Sequence, residues 1–189
     1  MSGRTPGAPV VSKRFKYARL ELERRFLLAG LPAELDPRTG YQQFEDRYFP
    51  GTSLRLRRVT DARGDLVELK LNQKLPHDPP LPSHRVITSV YLDAVDHALI
   101  SRLGGSPLVK RRYAYAWRGA RFGVDCFQGP LLGLVLAEAE VQTEAALAAL
   151  PALPVRHVEV TSDPLFSGGS LAVEPADRVL DRARELLAG

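Results

Sequence analysis

The chain is poor in sulfur. Its 189 residues include one cysteine, Cys126, and one methionine. A lone cysteine excludes an internal disulfide and any zinc site built from several thiolates, and a reducing, cytoplasmic setting is the expectation. The four histidines show no metal-ligand spacing: His77 and His84 read as loop residues and His97 as helix surface, while His157 has no clear assignment. No apolar run reaches the length of a membrane span. Residues 131–139 are apolar but too short. There is no internal repeat and no Gly-rich phosphate loop of the G-x-x-x-x-G-K-S/T kind. Residues 1–14 are basic and rich in small residues, Pro and Gly. They lack the apolar centre of a signal peptide and read as a disordered leader.

The remaining residues, 15–189, are expected to form one domain. An apolar fraction of 44% and a charged fraction of 25% are ordinary for a globular protein. The net charge of +4, with a sequence pI near 9.4, favours anionic partners without specifying nucleic acid. Arginine dominates the basic residues, which suits bidentate recognition of phosphate or carboxylate.

Strand signals prevail. Runs at 17–28, 42–49, 54–59, 66–74, 85–92, 108–117, 121–127 and 134–141 are separated by turn residues such as Pro50-Gly51, Gly64 and Arg118-Gly119. Short helices are expected at 94–103 behind the N-cap Asp93, and at 144–150 behind Thr143. A further short strand is expected at 155–161. A C-terminal helix enters at Pro175 and carries an apolar stripe of Val179, Leu180, Ala183, Leu186 and Leu187. The fold class implied is α+β, mainly β: an antiparallel meander of eight strands able to close into a barrel.

Strand periodicity sorts the charges. In Arg19-Leu20-Glu21-Leu22-Glu23-Arg24-Arg25, the residues Arg19, Glu21, Glu23 and Arg25 share a face. Two carboxylates there repel unless a cation lies between them, and a divalent metal is the simplest such cation; the alternative is a solvated outer face. Glu138 and Glu140 pair in the same way. Arg55 with Arg57, Lys70 with Lys74, and Lys110 with Arg112 supply cations on other strands. A sandwich with charges outside requires no sorting by sign. The observed sorting favours a closed barrel whose lumen is polar and whose outer face is covered by helices. Tyr113, Tyr115 and Trp117 alternate away from Lys110 and Arg112, and so belong to the outer core. Cys126, alternating with Asp125, reads as a core thiol.

Six segments, in order, resemble the CYTH superfamily, the triphosphate tunnel metalloenzymes. Glu21-Leu22-Glu23-Arg24-Arg25 is similar to the family's ExExK signature, and Leu54-Arg55-Leu56-Arg57 to its basic third strand. Leu71-Asn72-Gln73-Lys74 resembles L-T-x-K, and Lys110-Arg111-Arg112-Tyr113 resembles K-x-R-Y. Asp125-Cys126-Phe127 with Gly133-Leu134-Val135-Leu136-Ala137-Glu138-Ala139-Glu140 looks like the late D-x-F…G-L-x-x-A-E-x-E block. Glu159-Val160-Thr161 resembles E-V-T. The likeness spans about residues 17–172. Three departures stand out. Arg25 replaces the usual lysine, and Asn72 the usual threonine. Arg85-Val86-Ile87-Thr88-Ser89 lacks the acidic residues that often occupy the fifth strand and help hold metal or activate water in some members.

The resemblance implies an eight-stranded antiparallel tunnel, flanked by a few helices, that binds a small phosphorylated substrate and Mg²⁺ or Mn²⁺. Arg55, Arg57, Lys74, Lys110 and Arg112 are then the expected phosphate ligands, with Arg25 and Arg85 behind them. Glu21, Glu23, Glu138, Glu140 and Glu159 are the expected metal ligands. Glu138 or Glu140 is the expected base, and Arg25 is counted with them as catalytic. Asp125 is as ready to pair with a neighbouring cation. Metal-dependent hydrolysis of inorganic triphosphate is the most economical activity, because no nucleobase pocket is evident. Class IV adenylate cyclase, thiamine triphosphatase and a non-catalytic polyphosphate or nucleotide module are the alternatives. No membrane or specific nucleic acid is expected as a partner, and a homodimer is compatible with the sequence.

Overall fold

Alternating sequences that bury one face of each strand and hold charges on the other can satisfy both faces by closing the sheet. The computed structural model, which describes residues 16–189, shows that closure. Eight strands run β1 (Arg19–Leu28), β2 (Tyr41–Tyr48), β3 (Leu54–Asp61), β4 (Leu66–Pro76), β5 (His84–Tyr91), β6 (Ser106–Trp117), β7 (Ala120–Phe127) and β8 (Val135–Val141). The order around the barrel is β5-β4-β3-β2-β6-β7-β8-β1, and β1 pairs back onto β5. All pairings are antiparallel. A ninth strand, β9 (His157–Glu159), joins the edge of β1 beyond β5, opposite Phe26 to Leu28. The expected leader lies outside the described residues.

Local chemistry sets the turns. Asp61 accepts from the backbone N–H of Arg63 at 2.8 Å and of Asp65 at 3.0 Å, closing the β3–β4 hairpin. Arg118 (φ 46) and Gly119 (φ 81) form the two-residue β6–β7 turn, the conformation whose twist matches the flanking strands. The helices are α1 (Ala94–Ile100), α2 (Glu144–Ala148), α3 (Gly168–Leu171) and α4 (Ala176–Ala188). Asp93 and Thr143 cap α1 and α2 as expected, each accepting from the third residue onward.

Apolar packing divides into two clusters. The outer one joins Phe26, Tyr113, Tyr115, Phe122, Val124, Val135, Ala137 and Ala139 on the outward faces of β1, β6, β7 and β8. The sequence led us to expect helices over this face. Instead Leu31, Leu35, Leu150, Leu153 and Val155, from connecting segments, cover much of it. The second cluster fills one end of the barrel. Leu27, Leu108, Phe127 and Leu136 continue, by alternation, the inward faces that carry Arg25, Lys110, Asp125 and Glu138. Phe166, Leu171, Val179 and Ala183 pack onto them. The C-terminal helix therefore closes an end rather than a side. Residues 164–171, which carry no element in the sequence reading, form a 3₁₀ turn followed by α3; two glycines and two serines leave the segment little apolar periodicity. Phe166 is fully buried in this end cluster. Phe166→Ala is expected to lower unfolding free energy by about 3–5 kcal/mol, measured by urea denaturation.

Candidate functional site: a charged tunnel

The lumen is a cavity of about 1100 Å³, lined by ten arginine and lysine side chains and five glutamates. Arg25, Arg55, Arg57, Lys74, Arg85, Lys110, Arg112, Glu21, Glu23, Glu138 and Glu140 all face it, as the strand periodicity requires. One expected residue does not. Glu159 is registered opposite Phe26, whose side chain faces outward, and opposed residues in an antiparallel pair point the same way. Its carboxylate meets Arg24 on the outer surface, with Arg24 Nε at 3.0 Å. That bond to Arg24 holds Glu159 below its usual pKa despite partial burial.

β1 and β8 are neighbours, with Glu23 opposite Glu140 and Arg25 opposite Glu138. Four carboxylates thus share one wall, and cations are threaded between them. Lys74 contacts Glu21 and lies 3.6 Å from Glu23. Arg25 donates through Nη2 to Glu23 at 2.6 Å and through Nε to Glu138 at 3.0 Å. Arg112 also contacts Glu138, and Arg19 contacts Glu140. Burial alone would raise the pKa of Glu138. Lys110, Arg112, Arg25 and Lys74 overcome it and hold Glu138 well below the carboxylate range. Burial likewise opposes the charge on Lys74, and Glu23 with Glu21 raises its pKa nonetheless.

The donor set on this wall is all carboxylate, which suits a hard divalent cation. Glu21 Oε2 is buried without a hydrogen bond, with only the Lys74 ammonium against it. Among the described residues no three metal-ligating side chains converge on one point. The threaded cations hold the glutamates apart, so metal binding here requires Lys74 and Arg25 to give way.

The rest of the lumen carries cations on two buried aspartates, Asp46 across the barrel on β2 and Asp125 on β7 beside β8. Arg57 grips Asp46 with Nε at 2.5 Å and Nη2 at 2.6 Å. Arg112 grips Asp125 with Nε and Nη2, both at 2.6 Å, and Lys110 Nζ meets the same carboxylate at 2.5 Å. Burial opposes ionisation of Asp46, but Arg57 and Arg55 hold it far below the usual range. Lys110, by contrast, is pushed down by burial and by Arg112. Asp125 takes the cation-pairing role open to it in the sequence. Asp46 carried no sequence assignment. Its one signal was period: it shares a strand face with Gln42, Phe44 and Tyr48, which also line the lumen.

Gly123 is part of the same construction. It lies between Asp125 and Arg121 on the inner face of β7, directly opposite Glu138. Arg112 crosses over it to reach Glu138. A Cβ at Gly123 would sit 3.1 Å from Arg112 Nε and 3.2 Å from its Cδ and Cζ.

On β5 the lumen-facing residues are Arg85, Ile87 and Ser89, with no carboxylate. Arg85 turns back to the carbonyls of Leu81 (3.0 Å) and His84 (2.7 Å). His84, read as a loop residue, is the first residue of β5. It is buried, with Nδ1 2.9 Å from Ser83 Oγ and Nε2 against Glu144. Burial pushes the half-buried Cys126 thiol up to about 11, which keeps it protonated at neutral pH.

No family model matches the sequence, and no curated protein matches it. Solved structures do match. The chain is similar to the hypothetical protein NE1496, with 25% identity over 82% of this chain and 99% of that one, at a TM-score of 0.54. It is similar to a structure described as the inorganic triphosphatase NE1496, with 24% identity over 80% of this chain and 93% of that one, at a TM-score of 0.52. With its closed eight-stranded barrel, the chain has a CYTH-like triphosphate-tunnel fold. No described helix is long and apolar enough to cross a membrane.

Two predictions follow from the wall geometry. Gly123→Val is expected to displace Arg112 and cost about 1–3 kcal/mol of stability, read from the urea midpoint. Asp46 and Glu138 bind protons less readily folded than unfolded, so their stabilisation is complete above the unfolded carboxylate pKa of about 4 and is lost as pH falls below it. Stability measured from pH 6 down to pH 3 should fall, and Asp46→Asn should flatten that decline while lowering stability at pH 6.

Proposed function

We propose that this chain is a divalent-metal-dependent triphosphatase acting on inorganic triphosphate. One observation carries the proposal: cations held on Asp46 and Asp125 share a single cavity with a four-glutamate wall. A triphosphate is a compact polyanion, and Arg57, Lys110 and Arg112 are already held in place for it by Asp46 and Asp125. Arg55, Arg57, Lys74, Lys110 and Arg112 grip the phosphate oxygens. As the anion draws Lys74 and Arg25 toward itself, Glu21, Glu23, Glu138 and Glu140 are freed to hold Mg²⁺ or Mn²⁺. When bound, the metal neutralises charge on the phosphates and lowers the pKa of water at the site.

The base is better assigned to Glu140 than to Glu138. Glu138 meets two arginines and is held well below the ordinary range, which makes it a weak proton acceptor. Glu140 meets Arg19 alone among the described ion pairs. Arg25 braces the glutamate wall by holding Glu23 and Glu138 together. The low cysteine content supports a cytoplasmic setting.

A second reading, a polyphosphate-binding module without turnover, is favoured by Ile87 and Ser89 where acidic residues would aid catalysis. The test follows phosphate and pyrophosphate separately with triphosphate, nucleoside triphosphates and thiamine triphosphate, with Mg²⁺, Mn²⁺ and no metal. Triphosphatase activity predicts phosphate release that Glu21→Gln lowers by about 100-fold or more. Undiminished release from Glu21→Gln overturns the site assignment. Tight binding with no release in either metal supports the second reading.

A further inference from the structure

Four lumen guanidiniums differ in what holds them. Arg57, Arg112 and Arg25 each hydrogen-bond a carboxylate, so much of their charge is already answered by the protein. Arg55 does not. Its Nη2 donates to the side-chain oxygen of Asn72 at 2.7 Å. The nearest carboxylate, Asp46, lies 3.9 Å from its Nη1, and its buried Nε has no hydrogen-bond partner. A guanidinium only donates, so the oxygen of the Asn72 amide must face it. The Asn72 amide nitrogen then faces β5, where it donates to Ser89 Oγ at 2.7 Å. Asn72 is almost fully buried, and Arg55, Asn72 and Ser89 sit side by side across β3, β4 and β5.

We infer that Asn72, its amide oriented by Ser89, is a positioning residue that holds Arg55 in the tunnel through a neutral hydrogen bond, making Arg55 the most available of these four guanidiniums to a phosphate oxygen. A neutral amide holds one arm of the fork, through Nη2, and adds no negative charge of its own, so more of the guanidinium charge is left for the ligand. Two departures from the expected pattern thereby acquire a joint purpose. Asn72 supplies an acceptor that is not an anion, and Ser89 on β5 accepts from its amide through a neutral hydroxyl, where a carboxylate would accept equally well but repel phosphate. The inference rests on the lumen being a triphosphate site.

The test measures metal-free binding of inorganic triphosphate by calorimetry, in chelator, for the wild type and for Asn72→Asp, Asn72→Leu, Ser89→Ala and Arg55→Ala, with thermal midpoints recorded alongside. Asn72→Asp should weaken binding by about tenfold or more while keeping Arg55 in place, because the new carboxylate takes up its charge. Asn72→Leu should weaken binding to a similar extent by releasing the guanidinium, and Ser89→Ala by less. In an Arg55→Ala background, Asn72→Leu should have no further effect, since a pair acting as a unit is non-additive. Wild-type affinity in both Asn72 variants overturns the inference. So does an Asn72→Leu loss that persists without Arg55, which would mark a merely structural role. Absence of triphosphate binding by the wild type overturns the phosphate site itself, and the inference with it.

Discussion

A charge removed from water costs several kcal/mol unless a partner and hydrogen bonds replace its hydration. Closing a sheet around charged side chains imposes that condition on every residue of the lumen. The barrel meets it by setting a cation against each lumen carboxylate. Each buried aspartate sits behind cations, and each wall glutamate has a cation against it. Within the lumen most of the cations are thus answered by carboxylates of the protein itself. Gly123 belongs to the same economy of space, because Arg112 can meet both Asp125 and Glu138 only by lying across a residue with no side chain.

The apolar residues obey the complementary condition. Outside the barrel they form the aromatic cluster around Tyr113, Phe122 and Val124. Inside, they begin one step past the last charge on several strands. Leu27 follows Arg25 and Leu108 precedes Lys110 on the same faces, so the tunnel changes from polar to apolar within a single repeat of the pleat. The C-terminal helix seats on that boundary. Polar lumen and apolar end thus come from the same strands read in different places.

Most of the strands were legible in the sequence because charge and apolar side chains alternate so regularly. The meeting of Glu21 and Glu23 with Glu138 and Glu140 followed once the barrel was taken to close, since closure makes the first and eighth strands neighbours. What periodicity could not supply was the identity of the cation between like charges. The sequence suggested a metal between Glu21 and Glu23, and the structure puts Lys74 there, from a strand fifty residues away in the chain. Glu159 was misplaced for a related reason. Its face depends on register with Phe26, a long-range fact absent from Glu-Val-Thr itself. Asp46 stayed silent because a single aspartate in a mixed strand looks like any solvated one until Arg57 is opposite it.

The position of β1 bears on how the chain reaches this state. It precedes the other described strands, and one of its edges pairs with β8, more than a hundred residues later, while the far end of the other edge waits for β9. During synthesis, Glu21 and Glu23 therefore lie on a strand with an open edge until β8 has been made. Non-local closure of this sort is slow, and an unpaired apolar edge invites pairing with other chains. Arg19, Arg24 and Arg25, interleaved with that strand's leucines, give the waiting edge a charge that discourages such encounters.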